Sequence, residues 1–96
     1  MIIVTAKFNI KSGNKDSFIL EAQKLISATR NENGCMEYSL YSSTEEEDIL
    51  VMLEQWEDMD SLNKHIKTKH FKNFGTILEK FLTKEMEVKS YSVKAI

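Results

Sequence analysis

With 96 residues the chain has room for one domain, 1–96, and its own core is modest, because a domain this small buries only about two-thirds of its unfolded surface. A composition 42% apolar and 29% charged excludes intrinsic disorder, and a net charge of −2 offers no basic face to nucleic acid. No apolar run approaches the roughly 20 residues of a membrane span, no signal-peptide pattern opens the chain, and the single cysteine, Cys35, excludes an intramolecular disulfide and a Cys-rich zinc site, so the expectation is a reduced, cytoplasmic domain without membrane partners.

Residues 2–10 (IIVTAKFNI) alternate, with Ile2, Val4, Ala6, Phe8 and Ile10 on one face and Ile3, Thr5, Lys7 and Asn9 on the other. A period of two predicts a half-buried strand. Lys11-Ser12-Gly13-Asn14 reads as a turn that offers a helix N-cap. From Lys15 to about Arg30 the period becomes helical: Phe18, Ala22, Leu25 and Thr29 form a stripe flanked by Ile19 and Ile26. Asp16 and Arg30 suit the two ends of the helix dipole, and Gly34 is the stop signal. Cys35 to Ser42 alternates again and places Met36, Tyr38 and Leu40 on one face. Thr44 to Asp48 is an acidic, solvated turn before Ile49–Trp56, a strand apolar on both faces, and the pair predicts an antiparallel hairpin. Asp58 is placed to cap a short helix carrying Met59, Leu62 and Ile66, which Thr68-Lys69 breaks. A further helix carries Phe71, Phe74, Leu78 and Phe81, and Met86 to Tyr91 makes the last strand.

The order β-α-β-β-α-β is the ferredoxin-like split βαβ pattern, an α+β fold with helices on one face of an antiparallel sheet. The other face carries Ile3 and the apolar residues of the third strand. Packing two such faces together removes an exposed patch, so a homodimer is expected.

No Gly-rich phosphate loop, nucleophile elbow or HExxH motif occurs. What remains is a constellation between sheet and helices: Tyr38, Glu54, Trp56, His65, His70, Phe71 and Phe74. Glu54 shares the core-facing side of its strand with Trp56, where burial raises a carboxyl pKa. It reads either as a general base or ligand anchor, or as a carboxylate paired at the sheet rim. Trp56 reads as a wall stacked on a flat substrate or as a core residue closing the sheet end. His65 and His70 can each exchange a proton near neutral pH, or serve as solvated or capping histidines. Their spacing of five is not the one-face spacing of a helical ligand pair, so no metal site is expected. Phe71 and Phe74 read as core, with room to line a cavity, and Tyr38 as a hydroxyl directed into it. Cys35 reads as a small packed residue.

These residues resemble the antibiotic biosynthesis monooxygenase (ABM) domain family, which includes small quinol monooxygenases. The matching stretches are MIIVTAKFNIKSGNKDSF at the start, TRNENGCMEYSLY in the middle and LEQWEDMDSLNKHIKTKHFKNF at residues 53–74. The last, a strand ending in Glu-x-Trp followed by His65 and His70-Phe71, is the most specific. The resemblance implies a dimeric α/β barrel of two ferredoxin-like subunits, each with a pocket between sheet and helices. It implies oxidation of a small aromatic or quinol by molecular oxygen with no cofactor, metal, haem or flavin. Carried over by position, Trp56, His65, His70 and Phe71 match the motif, with Glu54 and Tyr38 beside them.

A haem-degrading branch of the superfamily needs an Asn in the first strand, a Trp in the short helix and a His ten residues later. Ala6, His65 and Gly75 stand there instead, so haem degradation is disfavoured. HIKTKHFKNF also looks like a branch that isomerises a phosphorylated autoinducer sugar, with Lys67, Lys69 and Lys72 available to a phosphate. That enzyme, or a non-catalytic small-ligand-binding dimer, is the alternative reading.

Overall fold

A computed structural model describes residues 1–96. The elements are β1 (Ile2–Asn9), α1 (Lys15–Thr29), β2 (Cys35–Ser42), β3 (Ile49–Trp56), α2 (Met59–His65), α3 (Lys69–Leu78) and β4 (Glu87–Ser92). They form one antiparallel sheet in the order β2-β3-β1-β4, the ferredoxin-like arrangement with its second helix in two pieces. No helix is long and apolar enough to cross a membrane.

Alternation along β1 buries Ile2, Val4, Ala6, Phe8 and, just past the strand, Ile10. Its neighbour β3 adds Leu50, Met52, Glu54 and Trp56 to the same face, register-paired as Ala6 with Met52 and Val4 with Glu54. The stripe of α1 covers this face: Phe18, Ala22, Leu25, Ile26 and Thr29 are buried. Phe18 is the hub, with ring centroids 5.1 Å from Phe8, 5.9 Å from Phe74 and 5.7 Å from Phe81. Each such side chain contributes roughly 1.5–3 kcal/mol on leaving water.

Local chemistry sets the helix ends. Asp58 caps α2 by accepting the Ser61 N–H at 2.9 Å. The break between α2 and α3 is a capped restart: the Thr68 hydroxyl donates to the His65 carbonyl at 2.7 Å and accepts the Phe71 N–H at 3.3 Å. The two short helices therefore meet at an angle their sequence spacing does not reveal. Asn14 sits at the N-cap of α1 but makes no side-chain cap bond.

Three expectations need correction. Met36 does not share the face of Tyr38, because a bulge between Cys35 and Glu37 turns it outward to 59% exposure. Phe81 lies beyond the end of α3 at Leu78, although it still packs on Phe18. Helix α1 ends at Thr29, and Gly34 serves a later purpose, closing the turn into β2 at φ +82°.

That φ favours glycine, and a Cβ at Gly34 would also lie 2.6 Å from the Ser61 Cβ. Gly13 has a similar φ of +85° but open space around it. Gly13→Ala should cost roughly 1–2 kcal/mol for the backbone alone. Gly34→Ala should cost at least about 1 kcal/mol more, because α2 must move away from the 30–34 turn. Urea unfolding of both variants checks this, and equal losses would show that α2 yields freely.

Candidate functional site

Sheet and helices enclose a cavity of about 260 Å³. Its floor is Val4, Ala6, Phe8 and Met52 from the sheet, its sides are Leu25, Phe71, Phe74 and Leu78, and Met59, Ile66 and Val88, each about half exposed, mark its mouth. An engineered apolar cavity of about 150 Å³ holds benzene. The space here fits one or two fused rings.

Polar groups are few on this wall. Tyr38, Glu54 and His65 are the buried ones. Glu54 reaches the wall because the alternation of β3 turns it inward, and its partner is neither a lysine nor a backbone amide. The Trp56 indole N–H donates to Glu54 Oε1 at 2.9 Å. Burial pushes the Glu54 carboxyl up to about 7, against the lowering effect of that hydrogen bond and with some help from the Glu32 charge. The Tyr38 phenol is held well above its usual range, first by burial and then by the nearby Glu54 and Glu32 carboxylates. Burial likewise raises the Cys35 thiol, with Glu32 adding to it, which favours the neutral thiol over the thiolate.

His65 is the central group. It is 1% exposed, its ring lies 4.7 Å from Trp56 and 4.9 Å from Phe71, and its Nδ1 is 2.8 Å from Glu32 Oε2. The same Glu32 oxygen is 2.6 Å from His70 Nε2. An ionised carboxylate only accepts, so both imidazole nitrogens facing it carry hydrogen. His65 therefore presents its other nitrogen, Nε2, as a bare lone pair, and this atom is buried with no partner. Burial lowers the His65 pKa, against the raising effect of Glu32, which keeps that lone pair free at neutral pH.

The structure brings Tyr38, Glu54, His65, Phe71 and Phe74 to one cavity. It does not bring Trp56 or His70 to the wall. Trp56 is wholly buried behind Glu54 and His65 and acts on the cavity through them. His70 stands on the far side of Glu32, in a surface groove with Glu21, Lys24 and Asn73. Sequence reasoning also missed Glu32, the carboxylate that joins the two histidines.

The Glu54 shift has a measurable consequence. Between pH 4.5 and about 7 the unfolded chain releases a proton that the native chain keeps. Stability from neutral Glu54 is therefore complete below that window and is lost as pH rises through it, by about 2–3 kcal/mol. Glu54→Gln should gain that much on the unmodified chain between pH 5 and pH 8 in urea unfolding. A constant difference would show that Glu54 ionises like an exposed carboxylate.

Comparison with known proteins places the chain in a family. The antibiotic biosynthesis monooxygenase family profile matches residues 1–76. The chain is 33% identical over 88 residues to "Putative monooxygenase YcnE" of Bacillus subtilis (strain 168), covering 92% of this chain and 93% of that one. A conserved protein from Methanosarcina mazei Go1 superposes with a TM-score of 0.93 at 39% identity, covering 97% of this chain and 92% of the other. The fold is also that of Rv0793 from Mycobacterium tuberculosis, with a TM-score of 0.92 at 24% identity over 99% of this chain and 96% of that one. The chain belongs to the antibiotic biosynthesis monooxygenase family.

Proposed function

We propose that this protein oxidises a small aromatic or quinol-type substrate with molecular oxygen, without a cofactor, in the cavity between sheet and helices. The observation that carries the reading is His65, a lining residue of an apolar, ring-sized cavity whose Nε2 is buried without a partner and whose Nδ1 is held by Glu32. A carboxylate on one imidazole nitrogen sets the tautomer and stabilises the cation that forms when the other takes a proton.

An electron-rich phenol gives its O–H proton to His65 Nε2 and becomes a phenolate. The phenolate passes one electron to oxygen, and the two radicals join as a carbon-bound peroxide. Cleavage of the O–O bond with loss of water leaves the oxygenated ring. For a hydroquinone the balance is hydroquinone plus O₂ to hydroxyquinone plus water, so the substrate supplies all the electrons. Glu54, a carboxyl that exchanges its proton near neutral pH, is the acid for the departing oxygen. Phe71, Phe74 and Leu78 exclude water and hold the ring. Glu32 and His70 are positioning residues, and Trp56 orients Glu54.

The sugar-phosphate alternative calls for cations. No lysine or arginine lines the cavity, and Lys67 in the α2–α3 break and Lys69 and Lys72 on α3 are exposed. An uncharged ring suits this wall better. The homodimer stands as part of the proposal: the uncovered sheet face presents Ile3, Val51 and Leu53 half-buried, with Tyr41 and Tyr91 exposed beside them.

Oxygen uptake with a panel of hydroquinones, anthrones and catechols, using metal-stripped protein and a heat-killed control, tests the chemistry. His65→Gln should lower turnover at least about 100-fold and Glu32→Gln about tenfold or more. Uptake unchanged in His65→Gln would remove it as the base. No uptake across the panel would favour a non-catalytic ligand binder. Light scattering should give twice the 11.1 kDa chain mass at micromolar concentration, and a monomer would overturn the dimer.

A further inference from the structure

We propose that Glu32, His65 and His70 form a binding site for a divalent transition-metal ion of the Zn²⁺ class. One ligand atom from each residue lies within 4.8 Å of the other two, and Glu32 Oε2 is 2.8 Å from His65 Nδ1 and 2.6 Å from His70 Nε2. Two imidazoles and a carboxylate are the three-ligand set of open zinc sites, where water completes four-coordination. The break at residues 66–68 is what makes this geometry possible. It puts His65 at the end of α2 and His70 in the first turn of α3, so their rings converge although five residues separate them.

Bond lengths of about 2.0–2.1 Å to zinc put neighbouring ligand atoms roughly 3.3 Å apart. The present N···O separations of 2.8 and 2.6 Å must therefore open by roughly 0.5 and 0.7 Å. Glu32 can supply that movement, because it stands in the turn between α1 and β2 and not within an element. Access comes from the outer side, where the His70 side chain is 28% exposed and that of Glu32 14%. No lysine or arginine pairs with Glu32, so its charge is open to a cation.

Occupancy has a further consequence, which rests on the reading of His65 as the base. A metal on Nδ1 takes the lone pair there and leaves the hydrogen on Nε2. The wall then holds an N–H donor where it held an acceptor, and proton abstraction stops. The metal would be an inhibitor bound from behind the cavity, and it would not touch the substrate.

Calorimetric titration of the metal-stripped full chain with Zn²⁺ is the deciding experiment. One ion per chain is expected, with affinity falling at least about tenfold in Glu32→Gln and in His70→Gln, and unchanged in Cys35→Ser. Far-UV circular dichroism confirms that each variant is folded. Absence of binding at about 100 µM Zn²⁺, or affinity unchanged in His70→Gln, would overturn the site. Oxygen uptake should fall in proportion to occupancy, and full activity at full occupancy would overturn the inhibition while the isotherm still reports on the site. Conversely, if no substrate is ever turned over, the base reading fails and the isotherm alone decides.

Discussion

A single carboxylate oxygen holds this site together. Glu32 Oε2 lies between His65 Nδ1 and His70 Nε2, and so ties the α1–β2 turn to two separate helices. Charge-assisted hydrogen bonds of this length are among the stronger ones in a protein interior. Remove the carboxylate and His65 loses its fixed tautomer, His70 its hydrogen-bond partner, and α2 and α3 their common anchor. The tight approach of Gly34 to Ser61 sets the same turn against α2 from the other side. The turn is thus a positioned part of the site, although it belongs to no regular element.

The cavity depends on that anchoring. Its walls are ordinary core side chains that stop short of filling the space, and its polarity comes from three residues. Glu54 and Tyr38 are each driven toward the neutral form by burial, and His65 likewise. Near neutral pH the interior can therefore hold an acid that gives a proton, Glu54, beside a base that takes one, His65. Trp56 supports this from behind, donating to one group and packing against the other.

Much of this was legible in the residues. Strict alternation in β1 and β3 and the 3.6-residue stripe of α1 give the sheet, the covered face and the inward direction of Glu54 without any structure. The bulge at Cys35–Glu37 was not legible, since nothing in Met36 itself marks an extra residue in the strand. Nor was Glu32. It stands between two asparagines in a turn with no periodicity, and only the long-range fold shows which of many acidic side chains meets the histidines. The five-residue spacing argued against a shared site because it was judged on one helix, although the break at Thr68-Lys69 was itself legible; what the sequence lacks is the angle at which the two helices turn His65 and His70 toward Glu32. Where Trp56 and His70 stand, outside the wall, is likewise a matter of packing depth, which sequence spacing does not encode.

Tyr38 is buried beside Glu54 and His65. It is a phenol on the wall of a cavity proposed to activate phenols, and so belongs to the same chemical class as the intended substrate. A phenolate surrenders an electron far more readily than a phenol. Burial and the nearby carboxylates keep the Tyr38 hydroxyl protonated. On the proposed chemistry, the field that makes this side chain a poor acid would also withhold it from oxidation and leave oxygen to the guest.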